Sequence, residues 1–439
     1  MIDKLKSLKN HQGFMRYFKN TSWLMAEKIL RIFVGLFVGI WVARYLGPEQ
    51  YGIYNYVQSF VSIFAVIATF GLEGVLVREL IKYKYRINKI IGTAFWLKIF
   101  GAFISFIFIF FALFFTSNTH QINVFIYIVA SSVFFQSFNV VDMYFQAKVL
   151  SKYVVIINTI ALTISSILKI IFILKNLPLG SFIWLLLLDS IILGVGFLYF
   201  YLKHSKYSIF SLRFDKYIAI KLVKNSYPLI LASFVLLIQA KIDQIMIFEM
   251  LGSKEAGYYS IAMYLIAALA FLPSMISASL FPALFNAKKI SELIYKERFL
   301  NYYRLSFVLF LLSALPIYLF AEQIVFLLYG ESYRPAGAIL ALLSIRLFFT
   351  NSGYARQDFI KIENLFIFAL ITMTVGAIVN ILLNFIWIKE YGAQGAIYSS
   401  IVSFSFTLFI VDYFYEKTRE NVKLQLYSII TFYKIKITR

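Results

Sequence analysis

Apolar stretches of about twenty residues recur along the chain, separated by short polar segments. They fall at 23–43, 54–76, 91–115, 122–146, 154–174, 182–202, 228–250, 257–285, 305–328, 337–354, 364–388 and 395–415. Each is long enough for a helix to cross the roughly 30 Å hydrocarbon layer of a bilayer. The pattern predicts an all-α integral membrane protein of about twelve transmembrane helices.

The intervening polar segments differ sharply in charge. Assigned alternately to two sides, those on the side of the N-terminus hold 31 Lys and Arg residues. The opposite segments hold only Arg44, Lys175, Lys254, Arg334 and Lys389. Basic residues are retained on the cytoplasmic face of a membrane, so both termini are expected inside and the number of crossings is even. The same asymmetry accounts for most of the formal charge of +21 and removes the need for a nucleic-acid partner. With 61% hydrophobic and 14% charged residues, the chain lacks the polar shell of a soluble enzyme. It has no cysteine, and its three histidines, His11, His120 and His204, fall in tails or loops, so neither a metal site nor another cofactor is expected. Lys4, Lys6, Lys9, Arg16 and Lys19 precede a full-length apolar span with no small-residue cleavage site, so the first helix is read as retained rather than as a signal peptide.

The chain divides into a tail (1–22), six spans (23–202), a basic linker (203–227), six further spans (228–415) and a second tail (416–439). Within the linker, Leu212 to Lys224 has the makings of a basic amphipathic helix on anionic headgroups, and so has the C-terminal stretch from Val422; a solvated charged loop is the alternative for each. Leu46-Gly47-Pro48-Glu49-Gln50-Tyr51-Gly52-Ile53-Tyr54 and Leu251-Gly252-Ser253-Lys254-Glu255-Ala256-Gly257-Tyr258-Tyr259 share the pattern L-G-x-x-x-x-G-x-Y at an offset of 205 residues. Both join the first and second spans of a set of six, as parallel-repeat transporters require. The glycines are expected to end one helix and start the next across a tight external turn.

Ala43-Arg44-Tyr45-Leu46-Gly47-Pro48-Glu49-Gln50-Tyr51-Gly52, followed by Phe70-Gly71-Leu72 and Val77-Arg78-Glu79, resembles the signature of Wzx-type O-antigen and polysaccharide flippases of the multidrug/oligosaccharidyl-lipid/polysaccharide (MOP) exporter superfamily. Lys241-Ile242-Asp243-Gln244 with Leu251-Gly252, and Tyr391-Gly392-Ala393-Gln394-Gly395-Ala396, are similar to later family segments. The resemblance implies two six-helix lobes in a V around a central cavity. It also implies alternating-access transport of an undecaprenyl-diphosphate-linked oligosaccharide, such as an O-antigen or capsule repeat unit, from the cytoplasmic to the outer leaflet of a bacterial inner membrane. The partners then expected are membrane lipids, H+ or Na+ as counter-ion, and polysaccharide polymerase and chain-length proteins. A polymerase or ligase of lipid-linked sugars is the rival from another class, but such enzymes resemble one another in a large external loop, and the longest external connection here runs only from Arg44 to Ile53. A multidrug exporter of the same superfamily is expected to favour acidic cavity residues.

An ionised side chain at a helix centre costs roughly 2.5–3.5 kcal/mol on insertion, so each needs a partner, water or a task. The candidate substrate-binding cations are Arg31, Lys98, Lys241 and Arg346, and the ion-coupling candidates are Asp189, Asp243, Glu27 and Glu73. Against these stand simpler readings. Glu27 and Arg31, one turn apart, are placed for an internal ion pair, and Lys98 for snorkelling. Lys169 is expected to anchor at the interface, and Asp142 and Asp412 to be structural. Arg346 and Asp189 have no opposite charge at helical spacing on their own spans. Gly35 and Gly39 permit close helix contact, and Pro273, Pro282 and Pro316 mark expected kinks.

Overall fold

A computed structural model describes residues 12–205 and 213–435, except for the side chains of 12–14, 16–18 and 84. His11, Leu212 and the basic residues of both extreme termini lie outside the described residues. The described chain is helical, with no strand, as lipid demands of any segment that must satisfy its own backbone hydrogen bonds. Its helices are α1 (Gln12–Thr69), α2 (Leu72–Lys82), α3 (Ile87–Leu113), α4 (His120–Phe135), α5 (Val140–Ala147), α6 (Lys152–Leu174) and α7 (Leu179–His204). After them come α8 (Lys216–Leu251), α9 (Ser253–Leu269), α10 (Phe271–Ile290), α11 (Glu292–Tyr329), α12 (Ala336–Ile362), α13 (Phe366–Tyr391), α14 (Ala393–Ser405) and α15 (Glu416–Ile430). A π-helical stretch, Phe406–Val411, carries the last span on from α14 to Phe414.

Among the described residues, 11 helical stretches are long and apolar enough to cross a membrane. The first, Lys19–Lys82, is 64 residues long and is broken at Gly47, whose φ of 68° and ψ of 172° are non-helical. By helical rise it reaches roughly 95 Å, enough for two crossings, which gives the twelve expected. Gly252 breaks the second copy of the motif in the same way, with φ 94°. Pro48 follows Gly47 at the first position of a new helix, where its missing N–H costs nothing. Of the expected kinks, Pro273 sits in the first turn of α10, directly after the break that separates it from α9. α11 leaves helical geometry at Phe320, one turn beyond Pro316.

The chain packs as two units. One comprises Met1–Tyr45 and Val57–Leu237, and the other comprises Leu46–Tyr56 and Ile238–Arg439. The core of the first unit joins Leu72, Leu76, Ile91, Ala94, Phe145, Ile157, Phe197 and Leu222. From Lys216 the segment read as a linker is already α8, burying Ile218, Ala219 and Leu222 in this core. Asp215 caps α8 by accepting from the backbone N–H groups of Tyr217 (3.1 Å) and Ile218 (3.2 Å). Chiefly the Ile218 bond, and then Lys89, hold its carboxyl below the usual carboxylate range. The second unit has a separate core around Leu284, Tyr295, Phe299, Tyr303, Ala355, Phe359 and Ile360.

In the second unit the two copies of the glycine motif meet. A Cβ on Gly52 would lie 1.8 Å from the Ser253 carbonyl oxygen, and one on Gly257 1.9 Å from the Pro48 oxygen. Ser253 and Gly257 occupy the motif positions of Pro48 and Gly52, so the two contacts exchange under the 205-residue offset. The pairing is locally two-fold, like an isologous interface. Reporter fusions within 203–227 are expected to read cytoplasmic and those within 251–256 external; the reverse pattern would remove the charge-based topology.

Candidate functional site

Asp243 on α8, 2% exposed, is among the most deeply buried acids of the second unit, with Asp358 and Asp412 at 1% each. A carboxylate buried so far must be compensated by donors, and four other helices supply them. Tyr259 on α9 and Ser400 on α14 donate their hydroxyls to Oδ2 at 3.1 and 2.6 Å. Asn384 on α13 donates its Nδ2 to Oδ1 at 2.9 Å. Arg346 on α12 brings Nη1 to 3.7 Å from Oδ2. A polar ring continues outward. Gln244 donates to Ser260 at 2.8 Å, Asn380 to Ser400 at 3.4 Å and Ser403 to the Gly376 carbonyl at 2.6 Å.

Two arginines of α12 differ in how they are held. Arg356 is buried and grips Asp412 with both prongs of its fork, Nε–Oδ2 at 2.5 Å and Nη2–Oδ1 at 2.8 Å, with Thr372 at 3.0 Å. Bidentate geometry of this kind uses the guanidinium fully, and it gives Asp412 the structural role expected of it. Arg346, by contrast, has the Asp243 carboxylate at 3.7 Å, the Met263 sulfur at 3.6 Å and the Phe404 ring at 5.2 Å, beside the Tyr259 hydroxyl. None of these is a short bidentate contact, and its side chain keeps 12% exposure. Arg346, with no acid on its own span, thus finds a loose partner across helices. Lys241 lies two residues from Asp243 but takes no part in the cluster, and no ion pair involves it among the described residues.

The first unit holds the other candidates. Arg31 donates to Glu27 on the same helix, with Nε at 2.9 Å, so the internal ion pair forms, on an exposed face. Lys98 on α3 is buried at 4% exposure, which corrects the snorkelling expectation. It lies within electrostatic reach of Glu73 on α2 and Asp142 on α5, and Asp142 in turn of Glu27. Asp142 also accepts from Gln146 at 3.0 Å. Asp189 on α7 accepts from Ser165 of α6 at 2.9 Å and lies within electrostatic reach of Lys169 without forming an ion pair with it. The second carboxylate oxygen of Asp189 is buried with no hydrogen bond. The structure thus groups Glu27, Arg31, Glu73, Lys98 and Asp142, sets Asp189 within electrostatic reach of Lys169, and pairs Asp243 with Arg346.

Sequence reasoning missed Tyr259, Asn384 and Ser400, because neutral polar residues cost too little on insertion to stand out. It also missed the buried Arg356, which lies just past the end of the apolar stretch 337–354.

A family model described as polysaccharide biosynthesis protein matches residues 17–288, more than half of the chain. The chain belongs to this family. Solved structures similar to this polysaccharide biosynthesis protein share its fold at low identity. The lipid II flippase MurJ, in an inward closed conformation, superimposes with a TM-score of 0.72 and 14% identity, covering 95% of this chain and 92% of that one. An inward-facing multidrug resistance MATE family transporter of the MOP superfamily gives 0.66 and 15%, covering 93% and 96%. A MOP superfamily transporter from Pyrococcus furiosus, described as having a binding pocket of reverse polarity, gives 0.55 and 14%, covering 96% of each chain. No curated protein matches the sequence. The polysaccharide biosynthesis family and the MOP-transporter fold agree with the resemblance carried by the Gly47 and Gly252 motifs. The protein is a multi-pass membrane protein of MOP-transporter fold.

Proposed function

We propose that the protein is a flippase that moves an undecaprenyl-diphosphate-linked oligosaccharide from the cytoplasmic to the outer leaflet, with Arg346 holding the diphosphate. The observation that carries this reading is the loosely held Arg346 guanidinium. A buried arginine whose role was purely structural would be gripped as Arg356 is, whereas Arg346 keeps donors for a further acceptor. A diphosphate stripped of part of its hydration needs such donors. Membership in a polysaccharide biosynthesis family supports a sugar cargo over a cationic drug, and a guanidinium repels the latter. Arg31 and Lys241 remain independent candidates for phosphate contact. The internal charge balance of Lys98 with Glu73 and Asp142 favours a structural role for that lysine. Transport needs no cofactor and forms no covalent intermediate. A counter-ion, H+ or Na+, is proposed to bind at Asp243 or Asp189, and failing those at Glu27 or Glu73.

The test is flipping of a lipid-linked oligosaccharide by purified protein in proteoliposomes, measured beside the amount of folded protein. A charge-assisted contact is worth about 1.5–3 kcal/mol, so Arg346→Ala is expected to lower flipping per folded molecule roughly ten- to a hundredfold, beyond the loss of abundance that comes from leaving Asp243 with only its neutral donors. Arg346→Lys should restore only part of it, since the fork geometry is lost. Full transport by Arg346→Ala would sink the assignment. Transport of cationic drugs without lipid-linked sugars would favour the exporter reading.

A further inference from the structure

Helix α15 is packed with its polar side inward. Thr418, Asn421, Gln425 and Ser428 are buried together with Val422, while Leu426, Tyr427 and Ile430 are exposed, followed by Tyr433 just beyond the helix, with Ile430 at 73% and Tyr433 at 68%. In a membrane span outward apolar residues are ordinary, but α15 is not one of the candidate spans. It has 15 residues and carries Glu416, Lys417, Arg419, Glu420 and Lys423.

Its attachments fix its orientation. At the start, Tyr415 stacks on Phe368 of α13 with centroids 4.2 Å apart. At the end, Arg304 of α11 donates to the Thr431 hydroxyl from Nε at 3.1 Å and Nη2 at 3.0 Å, and to the Lys434 carbonyl from Nη1 at 3.1 Å. Phe432 packs on Phe307 at 5.4 Å. Between these points Asn421 donates to the Tyr303 hydroxyl at 2.8 Å. α15 therefore lies along the first part of α11, with Glu420 near Lys296 at its start and Thr431 and Phe432 reaching Arg304 and Phe307 at its end.

Depth follows from the same contacts. Arg304 immediately precedes the apolar stretch 305–328, and Phe307 is its third residue, so the end of α15 sits where hydrocarbon begins. Charge completes the picture. Glu420 is met by Lys423 at 2.7 Å and Lys296 at 3.8 Å, while no ion pair engages Arg419 or Lys434 among the described residues. Arg419 donates to the Tyr413 carbonyl at 3.1 Å; an apolar strip at the headgroup level, flanked by cations outside any ion pair, has the composition of an interfacial helix that prefers anionic lipid.

We propose that α15 is an interfacial helix. Leu426, Tyr427, Ile430 and Tyr433 seat at the headgroup–acyl boundary, and Arg419 and Lys434 hold the phosphates of anionic lipids. The inference rests on the membrane fold and not on the identity of the cargo.

The absence of cysteine from the sequence makes single-site labelling direct. Full-length protein carrying Leu426→Cys, Ile430→Cys, Tyr433→Cys or, as an aqueous control, Glu420→Cys would be tagged with a polarity-sensitive fluorophore. It would then be reconstituted in phosphatidylcholine vesicles with or without phosphatidylglycerol. Emission at 426, 430 and 433 is expected to shift to the blue and to be quenched by brominated lipid, unlike that at 420. Brominated phosphatidylglycerol should quench at least twice as well as brominated phosphatidylcholine, and Arg419→Gln with Lys434→Gln should abolish that difference. Iodide quenching at 430 and 433 as strong as at 420 would overturn the interfacial seat in favour of water or a protein partner. Shielding that fades as protein is diluted in lipid would overturn it in favour of a second copy. Equal quenching by the two lipids would overturn the anionic preference. The labelled residues are exposed, so loss of folding does not confound the readout.

Discussion

Alanine at Gly52 or Gly257 is expected to remove most of the folded protein from the membrane. The added Cβ would lie 1.8 Å from the Ser253 oxygen in the first case and 1.9 Å from the Pro48 oxygen in the second. Both obstructing atoms are backbone, so no side-chain rotation relieves the overlap, and the two turns must separate. Overpacking costs typically 1–3 kcal/mol, and a backbone clash that forces two turns apart belongs at the upper end, about 3 kcal/mol or more. Two alanines together should cost less than the sum of the singles, since once the turns part the second clash has gone. Gly74→Ala and Gly353→Ala are the controls, because a Cβ at either position meets nothing within 4 Å. The measurement is membrane abundance with thermal stability of the solubilised protein. Equal abundance and heat resistance for Gly52→Ala and Gly74→Ala would refute the interlocked turns.

Asp243→Ala should be nearly as damaging, for an electrostatic reason. It leaves Arg346 in a part-buried site without its counter-charge and strips Tyr259, Asn384 and Ser400 of a shared acceptor. Removing one member of a buried pair costs about 3–5 kcal/mol. Asp243→Asn keeps the shape but not the charge and should be intermediate. Combined with Arg346→Gln, which removes the stranded cation, it should recover much of the stability, with a coupling between the two sites of at least about 1 kcal/mol. Asp243→Asn alone, with Arg346 kept to hold the cargo, separates structure from ion coupling when flipping is normalised to folded protein. If Asp243 binds the counter-ion, flipping in proteoliposomes should lose its dependence on an ion gradient while folded protein remains. Retained ion dependence would move the coupling site to Asp189, Glu27 or Glu73. Strict additivity of the two substitutions would instead show that the 3.7 Å pair contributes nothing.

How far the sequence reaches is clearest at particular residues. The twelve apolar stretches and their break at Gly47-Pro48 were legible because a bilayer fixes segment length and hydropathy locally. The L-G-x-x-x-x-G-x-Y repeat was legible as a pair of turns, but its first glycine acts through φ, a local property, whereas Gly52 and Gly257 act through a contact between distant segments. Buried charges were legible as costly positions, since the cost of Asp243, Asp189 or Arg346 depends on depth alone. Their partners were not, because helical spacing finds only neighbours on one helix. Glu27 with Arg31 was found that way, while Arg346 with Asp243 needed helices to be packed. α15 shows the limit from the other side. Its mixture of basic and apolar residues was visible, but the usual rule would bury Leu426 and Ile430 and expose Asn421 and Gln425. The sequence by itself determined the spans and the turn residues, because these follow from each segment's own encounter with lipid and water. Tertiary structure alone decided which charges pair, which neutral groups surround Asp243 and which face of α15 turns outward, because each depends on what the other helices present to that side chain.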